Sequence, residues 1–435
     1  MESHLNEDFI LSFFISLMLM REAFLHYLFD QRKLGDEFMT TKGEPLQVEH
    51  FGYLNKDAGP DFQNAKLRLK DKVWAGHIEF HVKSSDWIKH KHQFDPAYKN
   101  VIAHFVYEHD LEVKSGEYEL PVVELKELID VKEQSKYDRF ISSKGWVLCQ
   151  NQIPSLSKEL LQETINEKAF ERLSRKANEV KVLKKRLNGD SHKTLYLLVA
   201  KYLGGKVNQK SFLRLAEMIQ PSQLMQLNFD RFKITALLFG LSGLLPAESE
   251  EDYVIELRKE YKYISHLFQL NEMGKEEWKF SSLRPAGNPV MRIAQLAAIL
   301  SQQSAQSDFL ENTRELLCSI KLEQFWVTHY NFENETREKS FQLGESVINS
   351  ILINVIAPIK YSHYLDTEDE TAKSSSVNLL KKSKAEKNVI LSEWKKIGIP
   401  ALNAFESQGL IELKNEHCNR KKCLFCGLGK SILNK

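Results

Sequence analysis

The chain has 435 residues, of which 42% are hydrophobic and 27% are charged. These values are typical of a globular protein with a substantial core, and the length predicts two or three domains. The formal net charge of +1 argues against a generally basic nucleic-acid-binding protein, so any basic surface has to be local. Five cysteines, three of them near the C-terminus, do not form the framework of a secreted disulfide protein. They favour a reducing compartment, and we expect a cytoplasmic location.

Residues 1–20 contain an apolar run, FILSFFISLMLM, that is shorter than the ~20 residues needed to span a bilayer. The preceding MESHLNED is acidic, whereas a secretory signal begins with positive charge. We therefore predict neither membrane insertion nor export. The run is either a buried helix or an atypical N-terminal extension translated from upstream of the true start, because Met18 and Met20 stand just before REAFLHYLF.

Residues 45–135 contain short runs rich in β-branched and aromatic residues, separated by turn signals such as KDK and KSGE. Such runs predict a sheet of about five strands. The KDK turn at residues 70–72 is short enough for an antiparallel hairpin. A helical pattern at residues 20–34 precedes the sheet.

From Ser155 onward the apolar residues recur with helical spacing, beginning with one long amphipathic helix whose predicted N-cap is Ser155 or Ser157. The polar stretch Thr367–Ser376 predicts an exposed loop. The fold class is therefore α+β, a small N-terminal mixed sheet with helices followed by a large all-α region. The predicted boundaries are 21–150 for the α+β domain, 151–415 for the helical domain and 416–435 for a cysteine-bearing tail.

The run AGHIEFHVK predicts a strand on which His77, Glu79, His81 and Lys83 share one face, because side chains alternate along a strand. The KDK hairpin brings Asp61 near the same strand. Two adjacent carboxylates favour Mg²⁺ or Mn²⁺, and a nearby lysine can stabilise charge on a phosphoryl group. The pattern predicts a phosphodiesterase site in which Asp61 and Glu79 bind the metal. Lys83, with His81, would position water and stabilise phosphate charge.

A second group of possible ligands follows that strand: His90, His92, Asp95 and His104. Three histidines and an aspartate can hold a transition metal. The alternative is a solvated loop after the strand, in which the histidines bind nothing.

The segment LRPAGNPVMR precedes an apolar helical run. Pro289 suits the first helical turn, and Asn288 suits the N-cap. Arg284 and Arg292 beside this helix start could form a phosphate-binding site for nucleic acid. The alternative is a capped helix whose arginines pair with acidic residues.

The tail EHCNRKKCLFCGLGK has C-x4-C-x2-C spacing. Its three thiols, Cys418, Cys423 and Cys426, could converge on Zn²⁺, with His417 or Cys149 as the fourth ligand. The same spacing with a distant fourth cysteine is found in iron–sulfur proteins. The alternative is a reduced tail without metal.

Pro60–Asp61, followed on the second strand by an acid and a lysine, resembles the motif of the PD-(D/E)XK nuclease superfamily. In that motif the lysine stands two residues after the acid, a position that His81 occupies here, while Lys83 lies four residues on. Glu22 matches the helix-borne acid of some members. The resemblance implies a PD-(D/E)XK-like fold and metal-dependent cleavage of nucleic acid, which we expect to be DNA.

Some nucleases of that superfamily carry an iron–sulfur cluster on one remote cysteine and three C-terminal ones. The resemblance therefore implies a quartet of Cys149, Cys418, Cys423 and Cys426. A catalytically inactive nucleic-acid- or protein-binding module of the same fold is the alternative to a nuclease, and the altered lysine spacing favours it.

A broader resemblance covers most of the chain. The segments EAFLHYLF, NKDAGPDFQNAKL, ALLFGLSGLL and LRPAGNPVMRIAQLA are similar to a bacterial family known as domain of unknown function 2851. That family implies no activity, and its pattern begins near REAFLHY, which agrees with residues 1–20 being an extension.

Overall fold

The computed structural model describes residues 20–55, 58–116, 118–281, 283–302, 310–335 and 342–435. The chain divides into two compact units. The first comprises the chain up to Thr164 together with Glu416–Lys435, and the second comprises Ile165–Asn415. Apart from Met20, the predicted extension at residues 1–20 lies outside the described residues.

A mixed sheet forms the centre of the first unit. Its strands run in the order β1-β2-β4-β5-β6-β9, with β3 paired to β4. Pairs β1–β2, β2–β4, β3–β4 and β4–β5 are antiparallel, whereas β5–β6 and β6–β9 are parallel. The bounds are β1 Glu37–Met39, β2 Pro45–His50, β3 Tyr53–Leu54, β4 Phe62–Leu69, β5 Lys72–Lys83, β6 Val101–Glu108 and β9 Val122–Glu124. A separate pair consists of β7 Lys114–Ser115 and β8 Tyr118–Glu119.

The β4–β5 hairpin turns where the KDK signal predicts, with Lys70 in the left-handed region at φ 54°. The first unit also contains the helices α1 Glu22–Asp30, α2 Asp86–Lys89 and α3 Val131–Ile141. Aromatic side chains attach α1 to the sheet, because the ring of Phe29 lies 5.0 Å from Phe62, 5.1 Å from Phe80 and 5.2 Å from Phe105. This packing brings α1 next to the middle strands β4 and β5.

The rest of the described chain is helical, so the predicted α+β class is confirmed. Helix α4 begins after Ser157, whose Oγ accepts a hydrogen bond from the Leu160 amide at 3.1 Å, which selects one of the two predicted N-caps. The bounds are α4 Lys158–Arg186, α5 Ser191–Leu203, α6 Gly205–Glu217, α7 Pro221–Gln226, α8 Arg231–Leu241, α9 Asp252–Phe268, α10 Pro289–Ser301, α11 Thr313–Ser319, α12 Phe325–Thr328, α13 Glu345–Ile351, α14 Ala357–Thr367, α15 Glu370–Lys382, α16 Val389–Lys396, α17 Ala404–Glu412 and α18 Gly427–Leu433. Segments Leu352–Ile356 and Leu413–Cys418 are π-helical.

The predicted loop at Thr367–Ser376 is wrong, since most of this stretch belongs to α15. Asp369 caps the helix by accepting a hydrogen bond from the Thr371 amide at 2.9 Å. Buried Ser376 donates to the carbonyl of Ala357 at 2.8 Å. The cap and the serine bond satisfy polar groups that made the sequence resemble a loop.

The C-terminal tail folds onto the first helix of the first unit. Lys430 Nζ lies 2.6 Å from Asp30 Oδ2, and Tyr27 donates a hydrogen bond to Asn434 Oδ1 at 2.8 Å. Lys136 of α3 donates to the carbonyl of Leu433 at 2.6 Å. The cysteine-bearing segment is thus part of the unit that contains the sheet.

Within the described residues, no helix is long and apolar enough to cross a membrane.

Gly76 of β5 lies against the chain that leads into β6, and we predict that it tolerates no side chain. A Cβ at this position would lie 2.4 Å from the carbonyl oxygen of Asn100 and 2.5 Å from Ile102 Cγ2. Gly76→Ala should lower the free energy of unfolding by about 2–3 kcal/mol, the upper range for overpacking. Urea denaturation followed by circular dichroism measures this. Gly287→Ala, where a Cβ meets nothing within 4 Å, should change it by less than ~1 kcal/mol, and equal effects would contradict the prediction.

Candidate active site

The site begins at the entry to β4, where the chain turns at Gly59. Its φ of 108° is accessible to glycine and strained for other residues. A β-bulge follows, since Phe62 pairs with Ile78 but the next paired residue, Ala65, faces Gly76. Bulges bend a strand and redirect its side chains, and they are common beside active sites. The turn and bulge bring Asp61 beside the middle of β5.

The carboxylates of Asp61 and Glu79 each accept a main-chain hydrogen bond from the other residue or its neighbour. The amide of Asp61 donates to Glu79 Oε2 at 3.1 Å, and the amide of Phe80 donates to Asp61 Oδ2 at 2.8 Å. Glu79 is only 5% exposed. The predicted pair of carboxylates is therefore close together on neighbouring antiparallel strands.

Helix α1 adds two groups to this pair. His26 Nε2 lies 3.1 Å from Asp61 Oδ2. Burial, then the negative charge of Asp61, raises the pKa of Glu22. We call Glu22, Asp61 and Glu79 the carboxylate cluster. Glu22 is thus a third carboxylate close enough to Asp61 to be affected by its charge.

The carboxylate cluster is short of positive charge. Burial, followed by the charges of Asp61 and then Glu22, raises the pKa of Glu79 well above its usual range. Like charges that share a desolvated site favour protonation or a bound cation. Asp61 and Glu79 offer carboxylate oxygens of the kind that Mg²⁺ and Mn²⁺ prefer as ligands.

Two histidines lie directly beside Glu79, and a third lies next to them. His81 Nε2 is 3.0 Å from His90 Nδ1, and Glu79 Oε1 is 3.7 Å from His81 Nε2 and 3.4 Å from His92 Nε2. Ring nitrogens of His81, His90 and His92 all lie within 4.8 Å of one another. We call these three residues the histidine cluster, whose donor atoms are spaced for a transition metal.

Packing and hydrogen bonds fix the rings of the histidine cluster. His92 stacks on Tyr98 with centroids 3.8 Å apart and meets the edge of Trp87 at 5.4 Å. His104 Nε2 lies 2.8 Å from His81 Nδ1. Burial, followed by neighbouring histidines, lowers the pKa of His81 to about 2, and burial likewise lowers that of His104 to about 3. Both rings are therefore neutral near pH 7.

Two residues of the sequence predictions lie apart from these clusters. Lys83 is exposed at the end of β5, about 13 Å along the strand from Glu79. Burial raises the pKa of Asp110, but hydrogen bonds from Ser85 and Ser84 and the charge of Lys83 outweigh it, so that pKa is lowered. Lys83 is thus close enough to Asp110 to make a small contribution to the lowered pKa of that carboxyl. Asp95 caps the turn Pro96–Tyr98.

The predicted arginines belong to the second unit. Asn288 caps α10 by accepting a hydrogen bond from the Val290 amide at 2.9 Å, and Pro289 is the first helical residue, as expected. Arg284 is exposed. Burial lowers the pKa of Arg292 to about 10, and its Nη1 donates to Gln295 Oε1 at 2.7 Å. Arg292 thus has a protein partner, whereas Arg284 faces solvent.

The tail cysteines lie in the first unit with Cys149. Cys149 and Cys426 are buried, and Cys418 and Cys423 are half-buried. Burial, then the neighbouring thiol of Cys426, raises the pKa of Cys149 to about 11. Burial, then Cys149 and Cys426, raises the pKa of Cys423 to about 12. Three of the four predicted ligands are thus close enough to influence one another's charge.

The sequence interpretation missed His26. Its signal was available, because Glu22 and His26 are four residues apart and share one face of a helix. The sequence also predicted His104 as a metal ligand together with His90 and His92. In the structure, His104 instead lies 2.8 Å from His81 Nδ1, and His81 forms the cluster with His90 and His92.

Neutral His81 and His104 predict a loss of stability at acidic pH. Their pKa values, about 2 and about 3 in the folded state, lie below the unfolded value of about 6.5. The folded protein therefore binds fewer protons, and its free energy of unfolding falls as pH drops below 6.5. Replacing one such histidine should reduce this slope by about 1.4 kcal/mol per pH unit. Urea unfolding of parent and His104→Gln between pH 6 and 4.5 tests this, and parallel slopes would contradict it. Glu22 and Glu79 are common to both proteins and cancel in the comparison.

The family model described as "Protein of unknown function (DUF2851)" matches residues 22–389, most of the chain. No curated protein and no solved structure shows significant similarity to the chain. The match includes both clusters and ends before the cysteine tail. This chain is therefore a member of the DUF2851 family of proteins of unknown function.

Proposed function

We propose that this protein is a divalent-metal-dependent phosphodiesterase that acts on DNA. The observation that carries the proposal is the reciprocal anchoring of Asp61 and Glu79, which holds two carboxylates together in a desolvated site. Both can coordinate Mg²⁺ or Mn²⁺ while the anchored oxygens keep their main-chain bonds. Glu22 adds a third carboxylate to the same cluster.

A bound divalent ion would supply Lewis acidity and a more acidic water. The protein residues have separate roles. Asp61 and Glu79 hold the ion, and His26, at 3.1 Å from Asp61, orients that carboxylate or exchanges a proton beside it. His81 lies two residues after Glu79 and presents a neutral ring to the site. Separately, in the second unit, exposed Arg284 and half-buried Arg292 at the start of α10 are the proposed contacts to nucleic-acid phosphate.

The likeness to PD-(D/E)XK nucleases supports this proposal. The acid before β4, the acid on β5 and the acid on the preceding helix follow that pattern. The departure from that pattern is that Lys83 lies near Asp110, whose pKa it helps to lower. His81 stands two residues after Glu79, where the nuclease motif has its lysine. The proposal therefore assigns to a metal ion, rather than to an ammonium group, the neutralisation of phosphate charge.

The displacement of Lys83 also favours a second candidate, an inactive nucleic-acid- or protein-binding module of nuclease-like fold. In that case a proton on Glu79, whose pKa is raised, would remove one negative charge from the carboxylate cluster and so reduce its repulsion. The two candidates differ in whether the protein binds Mn²⁺ and cleaves DNA.

For the tail we propose a separate structural metal site on Cys149, Cys418, Cys423 and Cys426, occupied by Zn²⁺ or an iron–sulfur cluster. The C-x4-C-x2-C spacing and the mutual influence of Cys149, Cys423 and Cys426 on one another's charge support it. Its role would be to fasten the C-terminal segment to the unit that contains the sheet.

Asp61→Asn should reduce Mn²⁺- or Mg²⁺-dependent DNA cleavage by at least about 100-fold, because it removes a charged metal ligand while keeping the shape of the side chain. The assay follows nicking and linearisation of a plasmid and loss of a single-stranded oligonucleotide. Circular dichroism checks that the variant is folded.

The matched control is Asp71→Asn, which changes an exposed aspartate in the β4–β5 turn and should cleave like the parent. Undiminished cleavage by Asp61→Asn would refute the assignment. A folded parent that neither binds Mn²⁺ in calorimetry nor cleaves DNA would favour the binding module.

Cys149→Ser should lose the metal of the tail, because it replaces a buried thiolate ligand by a weaker one. Elemental analysis of purified protein would then give about one equivalent less zinc, or loss of iron and sulfide, together with a lower melting temperature. Cys318→Ser, at an exposed cysteine, is the control. Equal metal content in parent and Cys149→Ser would contradict the tail site.

A further inference from the structure

The histidine cluster has the spacing of a tetrahedral metal site. Zn²⁺ binds imidazole nitrogen at about 2.0–2.1 Å, so tetrahedral ligand atoms lie about 3.3 Å apart. The measured separations are 3.0 Å between His81 Nε2 and His90 Nδ1, 3.4 Å between His92 Nε2 and Glu79 Oε1, and 3.7 Å between His81 Nε2 and Glu79 Oε1. Three of the six separations among these donor atoms are thus close to tetrahedral spacing, and the three imidazole nitrogens lie within 4.8 Å of one another.

The donor atoms also have the environment of ligands. His92 Nε2 is buried and has no hydrogen-bond partner among the described residues, a costly arrangement that a bound ion would relieve. His81 can donate its Nδ1 hydrogen to His104 Nε2 at 2.8 Å, which leaves Nε2 as the metal-facing atom. Such outer partners orient the ligating imidazole and raise its basicity.

Glu79 is a member of the carboxylate cluster and also contacts the histidine cluster, and it uses a different oxygen for each. Oε2 accepts the hydrogen bond of the Asp61 amide, whereas Oε1 faces His81 and His92. A carboxylate in this position can serve two neighbouring ions at once. Asp95, in contrast, is held as a cap by the Ala97 amide at 2.9 Å and does not complete the set.

We propose that His81, His90, His92 and Glu79 Oε1 bind a transition-metal ion of the Zn²⁺ class, beside the ion of the carboxylate cluster and with Glu79 as the ligand common to both. The shared role of Glu79 rests on the proposed phosphodiesterase function, but the histidine site itself does not. Three imidazoles and one carboxylate select a borderline metal such as Zn²⁺ or Co²⁺ over Mg²⁺, which prefers oxygen ligands.

The experiment titrates full-length, metal-free protein with Co²⁺, whose tetrahedral complexes absorb strongly in the visible, and then displaces it with Zn²⁺. The informative quantity is the difference between parent and His90→Ala, because any cobalt on the cysteines contributes equally to both. His90 is exposed, so its loss should leave the fold intact. His266→Ala, an exposed histidine of α9, controls for surface binding.

We expect one parent Co²⁺ site that His90→Ala weakens by at least about 100-fold and His104→Gln by about 10–100-fold, the usual effect of an outer partner. His266→Ala should match the parent. A difference spectrum of zero between parent and His90→Ala would overturn the proposal, and so would an octahedral spectrum in the parent.

The two proposals fail separately. Asp61→Asn should retain the cobalt spectrum, because Asp61 is not among the four ligands. Retained cobalt binding without DNA cleavage would refute the phosphodiesterase and leave the histidine site standing. Cleavage with Mg²⁺ in a protein that binds no cobalt at the histidines would refute the histidine site and leave the phosphodiesterase standing.

Discussion

Two hydrogen bonds across the β4–β5 pair govern the arrangement of the candidate site: Asp61 amide to Glu79, and Phe80 amide to Asp61. Each has a main-chain donor and a carboxylate acceptor, so strand register places the donors and the hydrogen bonds hold the two side chains in the rotamers that bring the carboxyl groups together. The register in turn depends on the bulge between Phe62 and Ala65. A one-residue slip would turn Glu79 to the other face of the sheet.

Local patterns in the sequence are sufficient for much of the fold. Alternation along AGHIEFHVK places Glu79 and His81 together, and the turn signal at Lys70 makes β4 and β5 antiparallel. The Asn288–Pro289 pair marks the start of α10. Each of these features depends on residues that are adjacent in the chain or along one strand, and such features can be derived from spacing and backbone preference alone.

The remaining features depend on contacts that spacing does not encode. Alternation also predicts that Lys83 lies on the same face as Glu79 and close to it. However, β5 ends at Lys83, and the lysine lies near Asp110, whose pKa it helps to lower. His90 and His92 follow the strand in turns, so their approach to His81 is set by the packing of Trp87 and Tyr98 around them. The return of the C-terminal tail to α1 is a contact over some 400 residues, for which a single sequence carries no local signal.

The histidines beside the carboxylate cluster do not supply the positive charge that a lysine would bring. A lysine would bring a fixed positive charge to the carboxylate cluster. His81 is held neutral, with a pKa of about 2, by burial and by its histidine neighbours, so it contributes a lone pair and no charge. The carboxylates then have two ways to offset their repulsion: a proton on Glu79, whose pKa is raised, or a cation from solution. The proposed metal would have to compete with that proton, and its affinity would rise with pH until Glu79 is ionised. Neutral imidazoles are the better metal ligands, so the burial that removes charge from His81 suits this ring to the proposed metal ion, which would supply the positive charge that the ring does not.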